Sequence, residues 1–412
     1  MNLKTSEIIY DEKIYPREKV DMNIVAQYRD AIENLPNIVV DKKNRVIDGY
    51  HRLLAYRGEN VDEIEVEIFE SEDDGECLLE SIKRNAKHGK QLTSIEKKTL
   101  ARNLYKQSRT EVEIKQVLSI SERTISDYLK DMKAKEDESR DQKILELYLA
   151  CRTQEEIAQE VKLSREWINK EITKLCEQMA SLPELHIAPT SLQYTNLWEF
   201  NSCDPEFGEK SYPGRMPGQI IENLLWYYTQ PFDVVLDPMG GGGTKVDVCK
   251  KMYRRYMAYD LNPIETKGIK QNDITKGFPA RKIRDKPKLI VLDPPYSIQK
   301  KGEYTKHEND LSNQDLDGFY KSIKLLALEC KKEIDTEGII AYIISSLKTN
   351  GQVIDLAIDS RNIFTEKGFE VIERVCVPYN NATSMTGYWI TDAKKNKRML
   401  RAYRDLLIMR VK

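Results

Sequence analysis

Two short turns in the second half of the chain hold the residues best suited to bind a ligand and act on it. Asp-Pro-Met-Gly-Gly-Gly-Gly-Thr at 237–244 follows the apolar run 232–236, and Asp-Pro-Pro-Tyr at 293–296 follows the apolar run 289–292. Consecutive glycines let the backbone approach a ligand without any Cβ in the way, and the helix predicted after them points free N–H groups at it. The second turn offers a carboxylate, exposed carbonyls and a flat ring, which suits a planar base that bears an amino group.

Glycine-rich turns also bind phosphates and dinucleotides. A Walker phosphate loop would end in Gly-Lys-Ser/Thr, whereas Gly243-Thr244-Lys245 has the reverse order, so the sequence disfavours a nucleoside triphosphate here. A dinucleotide fits the glycine spacing but leaves the turn at 293–296 unexplained. A Pro-Pro-Tyr turn alone is also compatible with an ordinary loop. The combination of the two turns is therefore what favours a catalytic site.

Taken together, the two turns resemble those of the amino-methyltransferases of nucleic acids, which transfer a methyl group from S-adenosylmethionine to the exocyclic amine of adenine or cytosine. The resemblance extends from about residue 194 to residue 412. It implies a catalytic loop formed by Asp293, Pro294, Pro295 and Tyr296, in which the amine donates hydrogen bonds to Asp293 and to the Pro294 carbonyl while Tyr296 stacks on the base. The implied cofactor-binding residues are Arg215, Pro217, Asp237, Pro238, Met239, Gly240, Gly241, Gly242, Gly243, Thr244, Asp260, Asn262, Asn272 and Asp273.

The elements that position these residues are the strands of an open α/β sheet. In the resembling family, the acid at Asp260 binds the ribose hydroxyls and the acid at Asp273 meets the adenine of the cofactor. Asp237, Asp260 and Asp293 each follow a predicted strand. Because the carboxyl ends of parallel strands meet at one edge of a sheet, we expect these acids to lie together.

The first residue of the catalytic loop carries information about the substrate. In the resembling family an Asp at this position is usual for adenine and a Ser is commoner in cytosine-N4 enzymes, so Asp293 favours adenine N6. Carbon-5 methylation of cytosine requires a cysteine nucleophile in a Pro-Cys turn, and no cysteine of this sequence follows a proline. Within a duplex the amine is out of reach, so we expect the target nucleotide to be flipped out.

After residue 292 the chain alternates between helix and strand patterns. The sequence predicts a helix over 313–332, a strand over 338–346, a helix over 353–367, and strands over 369–378 and 405–411. The stretch between the last two strands is polar and shows no apolar helical stripe. We therefore expect these two strands to pair antiparallel.

The middle of the chain contains an internal repeat. Thr110–Ser126 aligns with Thr153–Asn169 at a constant offset of 43 residues. Each copy has a short amphipathic helix, a serine that caps the next helix and a second amphipathic helix, which is the helix-turn-helix pattern. A helical hairpin that serves packing or dimerisation is the alternative, so the sequence leaves a homodimer open. The segment 130–143 between the copies is almost wholly charged or polar and predicts a solvated helix or a linker.

The expected partner is double-stranded DNA, because the second helix of a helix-turn-helix enters the major groove. The net charge of −2 requires any such surface to be local. The second copy, with Glu166 and Trp167, is less suited to DNA than the first. A further basic cluster at 281–286 is compatible with either DNA binding or a solvated loop. The candidate nucleic-acid contacts are Arg123, Thr124, Ser126, Arg165, Asn169, Lys394, Lys395, Lys397 and Arg398.

The first ninety residues form another predicted unit. A hairpin over 37–47 leads into Gly49, His51 and Arg52 at a helix start, where bare N–H groups and a guanidinium favour an anion or phosphate. This order resembles the ParB/sulfiredoxin fold, whose Gly-x-x-Arg box binds nucleotide phosphates, and Arg84 is a further candidate for the same pocket. Tyr50 replaces the reactive cysteine of sulfiredoxin, so that chemistry is absent. The alternative is a structural glycine turn with an arginine paired to a neighbouring acid.

Composition predicts a soluble, intracellular protein, and the resemblance implies a bacterial cytoplasmic one of the kind often carried on phages and mobile elements. No apolar run approaches the length of a membrane span, and the first ten residues lack the basic-then-apolar order of a secretory signal. The seven cysteines include no Cys-x-x-Cys pair, which argues against a zinc site and a disulfide framework. The sequence therefore predicts no metal site and no membrane partner.

The predicted fold is multidomain. It consists of an α+β ParB/sulfiredoxin-like domain at 1–90, an all-α tandem helix-turn-helix region at 91–180, and a C-terminal α/β Rossmann-like class I methyltransferase at 190–412 with an antiparallel last strand. The favoured function is a DNA adenine-N6 methyltransferase that uses S-adenosylmethionine and is targeted by the N-terminal modules. A ParB-like DNA-binding regulator or clamp with a non-catalytic methyltransferase fold, a cytosine-N4 enzyme and an RNA methyltransferase stay open, as does a nucleotide in the N-terminal domain.

Overall fold

The computed structural model describes residues 1–17, 20–87, 92–200, 202–295, 302, 304–349, 352–379, 387–397 and 399–412. The chain forms two compact units, Met1–Ser139 and Arg140–Lys412. The helices are α1 (Met22–Asp30), α2 (Tyr50–Gly58), α3 (Asp74–Lys87), α4 (Ser94–Lys106), α5 (Glu111–Leu118), α6 (Glu122–Leu149), α7 (Gln154–Val161), α8 (Arg165–Ala180), α9 (Gly218–Tyr228), α10 (Thr244–Lys251), α11 (Leu316–Glu333), α12 (Leu356–Glu366) and α13 (Gly387–Lys395). The strands are β1 (Asn2–Lys4), β2 (Ile38–Asp41), β3 (Val46–Asp48), β4 (Glu63–Phe69), β5 (Val234–Asp237), β6 (Arg255–Asp260), β7 (Lys270–Gln271), β8 (Leu289–Leu292), β9 (Ile339–Ile344), β10 (Leu347–Thr349), β11 (Gln352–Ile354), β12 (Phe369–Pro378) and β13 (Tyr403–Val411).

The N-terminal unit begins with a small mixed sheet in the order β1-β4-β2-β3. The predicted hairpin is confirmed, since β2 and β3 pair antiparallel. Its turn is held by Asp41, whose Oδ1 accepts the backbone N–H groups of Lys43 and Arg45. Gly49 follows β3 with a φ of 102°, a left-handed conformation that favours glycine, and α2 starts at the next residue.

Both predicted helix-turn-helix copies are present. In each, a threonine caps the first helix through a capping box, Thr110 with Glu113 and Thr153 with Glu156. The predicted serine caps are confirmed, because Ser121 accepts the N–H of Thr124 and Ser164 accepts that of Trp167. The charged segment 130–143 lies within the 28-residue helix α6, which contains residues of both units. Every helix in the described part of the chain is too short or too polar to span a bilayer.

The C-terminal unit is built on a seven-stranded sheet in the order β12-β13-β9-β8-β5-β6-β7. Strand β13 pairs antiparallel with both β9 and β12, which confirms the predicted antiparallel last strand. The central strands are apolar on both faces because helices cover both sides. Val291 contributes to the core beneath α9 and α10, whereas its neighbours Ile290 and Leu292 contribute to the core beneath α11 and α12. The predicted fold class is confirmed.

One prediction for the last third of the chain is wrong in detail. Residues 353 and 354, expected at the start of a helix over 353–367, lie in β11, which pairs with β10 as a hairpin. The helix starts only at Leu356 because Asp355 caps it by accepting the N–H groups of Ala357 and Ile358. The polar stretch between β12 and β13 contains the helix α13, whose Tyr388 is 73% exposed.

The second helix-turn-helix copy belongs to the C-terminal unit. Ile157 and Ile168 form a buried cluster with Ile144 of α6. The ring of Tyr148, also on α6, lies 4.5 Å from the guanidinium of Arg255, the first residue of β6. A salt bridge of 2.9 Å joins Glu156 to Lys282 in the basic cluster at 281–286. The second copy thus packs near the amino ends of the parallel strands, opposite their carboxyl ends.

This arrangement predicts different effects from one substitution made at the two equivalent repeat positions. Ile114→Ala and Ile157→Ala each remove a fully buried side chain, which costs about 2–5 kcal/mol of unfolding free energy. Hydrogen exchange of the full chain should accelerate in α4 for Ile114→Ala and in α8 and β6 for Ile157→Ala. An identical pattern for both variants would contradict the assignment of the two copies to different units.

Candidate active site

The two turns open into one cavity. It has a volume of about 610 Å³ and lies at the carboxyl ends of β5, β6 and β8. Strands β5 and β8 are parallel neighbours, with Val235 opposite Leu289 and Leu236 opposite Ile290, so their following turns emerge at the same edge. The predicted site residues that line the cavity are Arg215, Pro238, Met239, Gly240, Gly241, Gly242, Thr244, Asp260, Asn272, Asp273, Asp293, Pro294 and Pro295.

The glycine loop forms one wall and needs its glycines. Gly241 and Gly243 have φ values of 50° and 81°, in the left-handed region. The ring and Cβ of Tyr212 pack directly on the loop, so that a Cβ added at Gly242 would lie 2.9 Å from the Cβ of Tyr212. The loop is fixed to the next strand, because the Gly240 N–H donates to the Tyr259 carbonyl at 2.7 Å. The loop backbone therefore borders the cavity with no side chain of its own in between.

Asp260 ends β6 beside the glycine loop. Its Oδ2 accepts the Gly241 N–H at 2.8 Å and its Oδ1 accepts the Asn262 N–H at 2.9 Å. Burial raises the pKa of Asp260, and these two hydrogen bonds oppose that rise. A carboxylate has about four lone-pair sites, so its oxygens retain capacity to accept hydroxyl groups of a ligand.

Asn272 and Asp273 follow β7 on the other side of Asp260. Asp273 Oδ1 accepts the N–H and hydroxyl of Thr275, and its Oδ2 accepts the Asn309 amide at 2.7 Å. Burial works to raise the pKa of Asp273, but these hydrogen bonds lower it overall. The side-chain amide of Asn272 donates to the Gly277 carbonyl at 3.0 Å. Both residues are thus held rigidly at the cavity wall.

Asp293 is the first residue of the predicted catalytic loop. It follows Leu292 of β8 and lines the cavity together with Pro294 and Pro295. Burial raises the pKa of Asp293, and the positive charges of Lys245 and Arg404 oppose that rise. Tyr296 lies outside the described residues.

Four predicted cofactor residues do not line the cavity directly. Asp237 is buried behind the glycine loop and forms a salt bridge with Lys245. Burial raises the pKa of Asp237 to about 6, although the charge of Lys245 acts to lower it. Pro217 and Gly243 occupy the positions just before α9 and α10, and Asn262 donates its N–H to Asp260. Arg215 does line the cavity and donates to the Asp204 carbonyl. Asp237, Asn262 and Gly243 thus support the glycine loop and Asp260, which line the cavity.

Sequence reasoning missed several cavity residues. Lys245 was used only to exclude a phosphate loop, yet it is 5% exposed and its Nζ lies 2.9 Å from Asp237 Oδ1. Arg404 enters from β13, and Tyr212 and Tyr304 stand with ring centroids 6.3 Å apart. No local pattern in the sequence marks the two tyrosines as neighbours. A lysine directly after the helix-starting threonine was the one available signal for Lys245.

The predicted nucleic-acid contacts are spread over both units. Arg123 and Ser126 are exposed on α6, and Thr124 is half-buried. In the second copy, Arg165 forms a 2.9 Å salt bridge with Glu155, and Asn169 accepts the Gln154 amide at 2.7 Å. Lys394, Lys395 and Lys397 are exposed at the end of α13 and just after it, and Arg398 lies outside the described residues.

The candidate nucleotide residues of the N-terminal unit are all engaged by protein groups. Arg52 donates to Asp48 at 2.6 Å and to the Pro36 carbonyl at 2.9 Å. His51 accepts the Asp21 N–H at 3.0 Å. Arg84 forms salt bridges with Glu67 and Glu80 at 2.7 and 2.8 Å. The arginine beside Gly49 is thus paired with a neighbouring acid, and a nucleotide at this place stays a prediction.

The comparison with protein families decides the class of the C-terminal site. Residues 70–271 match the family described as DNA methylase, N6_N4_Mtase. The chain carries an N6/N4 DNA methylase domain. The match includes the glycine loop and Asp260 of the methylase and ends before Asp293. Enzymes of this family use S-adenosylmethionine, and the match does not separate adenine from cytosine.

No curated protein matches the chain. Two of the solved structures similar to parts of the chain are the following. ParB from Caulobacter crescentus, complexed to the centromeric parS site, is 17% identical over 31% of this chain and 70% of that chain, with a TM-score of 0.26. TrmN from Thermus thermophilus is 12% identical over 48% of this chain and 50% of that chain, with a TM-score of 0.29. Because these values are low, we draw no conclusion from the likenesses.

The tight contact between the glycine loop and Tyr212 yields a prediction. Gly242→Ala forces Tyr212 to move, so we expect the methylase to bind S-adenosylmethionine at least about tenfold more weakly by calorimetry, which corresponds to about 1.4 kcal/mol. Gly387→Ala is the control, because a Cβ there meets nothing within 4 Å. Equal cofactor affinities of the two variants would show that this wall does not contact the cofactor.

Proposed function

We propose that this protein transfers a methyl group from S-adenosylmethionine to the exocyclic amine of a base flipped out of duplex DNA, with adenine N6 as the preferred target. The observation that carries the proposal is that Asp293 and Pro294 line the same cavity as the glycines Gly240 to Gly242. A cofactor loop and an amine-binding turn need this proximity, because the methyl group and the amine must meet. The Asp at the first position of the loop supports adenine over cytosine.

The cavity fits the proposed cofactor. Gly240, Gly241 and Gly242 line the cavity with backbone that carries no side chain, and this suits the close approach of a flat nucleoside. We assign the ribose hydroxyls to Asp260 and the adenine to Asn272 and Asp273, whose polar groups line the cavity. Arg215 is assigned to the methionine carboxylate, since its buried Nε has no hydrogen-bond partner among the described residues. When bound, the cofactor supplies an electrophilic methyl group on a sulfonium.

The residues of this chain act on the amine. An exocyclic amine is a poor nucleophile because its lone pair is delocalised into the ring. Hydrogen bonds to the Asp293 carboxylate and to the Pro294 carbonyl localise that pair and aim it at the methyl group. The sulfonium would supply its methyl group to the amine and leave as a neutral thioether, and the proton that the methylated amine loses would pass to solvent. Orientation alone is worth on the order of 7–11 kcal/mol, whereas flipping costs a few kcal/mol.

Contacts with DNA are assigned first to the described part of the segment 394–404, which ends at the cavity. Lys394, Lys395 and Lys397 are exposed, and the chain then reaches Arg401 and Arg404, which line the cavity. Lysines near the cavity mouth would bind the phosphates that flank a flipped nucleotide. The first helix-turn-helix copy, with Arg123 and Ser126 exposed, is assigned to groove contacts.

The second helix-turn-helix copy is assigned a structural part. Its candidate contacts already bind Glu155 and Gln154, and Glu166 adds a negative charge at the start of its second helix. It also packs near the amino ends of strands whose carboxyl ends border the cavity. A DNA duplex whose base enters the cavity would therefore lie at the carboxyl ends of the strands, away from the second copy.

Incubation with tritiated S-adenosylmethionine and defined DNA or RNA, followed by nucleoside analysis, tests the proposal. We expect label in the adenine of duplex DNA, and a loss of about a hundredfold or more in rate for Asp293→Ala and Asp293→Asn, because the amine loses a charged acceptor. Asp317→Asn, an exposed acid of α11, is the matched control. Label in cytosine or RNA would overturn the assignment of adenine in DNA as the substrate. The absence of label with intact cofactor binding would favour a non-catalytic DNA-binding regulator.

The assignment of DNA contacts predicts a difference between two sets of lysine substitutions. Replacing Lys394, Lys395 and Lys397 together with alanine should weaken DNA binding and reduce the slope of log K against log salt by about 0.9 for each phosphate that a lysine no longer neutralises. The matched control replaces Lys162, Lys170 and Lys174, exposed lysines of the second copy. A larger decrease of affinity and slope in the control would place the DNA on the second copy instead.

A further inference from the structure

Resting on the proposed function, we propose that Lys245 is a positioning residue for methyl transfer. Its ammonium group, held against Asp237 in the cavity wall, supplies the positive charge that the catalytic turn at Asp293 faces.

Lys245 is built into the site. It is the second residue of α10, is 5% exposed and lines the cavity. Its Nζ donates to Asp237 Oδ1 at 2.9 Å and to the Met239 carbonyl at 3.0 Å. Both contacts fix the ammonium group on the turn that follows β5, and Lys245 lines the same cavity as Asp293 of the neighbouring turn. After Asp237, Asp293 is the carboxylate whose charge acts most strongly on Lys245.

Stability alone does not account for this ion pair. Burying two charges carries a desolvation cost that their attraction often fails to offset, and apolar replacements of such pairs are frequently neutral or stabilising. Burial indeed works to lower the pKa of Lys245, but Asp237 and Asp293 raise it overall, so the lysine stays charged. A second feature of this pair is that its lysine lines the same cavity as Asp293.

The charge matters because an ionised Asp293 accepts a hydrogen bond from the amine more strongly than the neutral acid does. Burial raises the pKa of Asp293, and Lys245 followed by Arg404 opposes that rise. Asp237 and Asp260 also act on Lys245, and Asp310 acts on Asp260. Removing the Lys245 charge leaves Arg404 to oppose the effect of burial without it, so the pKa of Asp293 must rise. The ionised group is the stronger acceptor, so the acidic limb of the rate profile must then move to higher pH.

Two single variants that break the same ion pair separate charge from structure. Lys245→Met removes the positive charge, so the ratio of kcat at about pH 9 to kcat at about pH 6 should increase roughly tenfold relative to the unmodified protein. Asp237→Asn removes a negative charge and frees the ammonium group, so the acidic limb should stay in place or move to lower pH. Lys245→Arg should restore the profile. If the pair were purely structural, both variants would have a lower kcat, and the acidic limb of Lys245→Met would stay at its original pH.

A readout that does not need turnover separates this inference from the proposed function. The protein is labelled with 13C at the aspartate carboxyl carbons, and the Asp293 signal is identified by its loss in Asp293→Asn. Its titration midpoint should lie at higher pH in Lys245→Met than in the unmodified protein and should return in Lys245→Arg. An unmoved midpoint overturns the role of Lys245 even if the protein methylates DNA. A moved midpoint in a protein that never transfers methyl groups supports the electrostatic role and refutes the proposed function.

Discussion

The parallel pairing of β5 with β8 is the constraint on which the site depends. Because these strands are hydrogen-bonded neighbours that run in the same direction, the turns that leave them must share one edge of the sheet. The glycine loop and Asp293 thereby border one cavity although about fifty residues separate them. The antiparallel β13 brings Arg404 to the same edge from the far end of the chain.

The chemistry of the cavity follows from burial combined with charge. Burial raises the pKa of Asp237, Asp260 and Asp293 and so favours their neutral forms. In each case a fixed ammonium group, guanidinium or backbone N–H group opposes this rise. Such preorganised charges act strongly in a site that excludes water. In the proposed mechanism these fixed groups carry most of the catalysis, since they would orient one lone pair and keep one carboxylate ionised.

The bounds of the strands beside the site could be predicted from the sequence better than the charged side chains that cap helices or form buried contacts. Strands β8 and β12 match their predicted bounds because β8 is an apolar run that ends at the Asp-Pro-Pro turn, whereas β12 begins after Gly368 and ends at Pro378. The capping aspartate Asp355 was overlooked, so the helix there was predicted too early. Lys245 was missed because the role of a charged residue depends on burial, which periodicity does not show. The contact of Glu156 with Lys282 spans 126 residues and has no local signal.

Ultraviolet cross-linking of methyl-tritiated S-adenosylmethionine to the full chain, followed by peptide mapping, tests the shared cavity most directly. Tyr212 packs on Gly241 and Gly242 and lines the cavity, so we expect saturable label in the peptide that contains it. An unlabelled cofactor analogue should abolish that label. Saturable label confined to peptides of residues 1–139, or label that the analogue does not displace, would contradict the account.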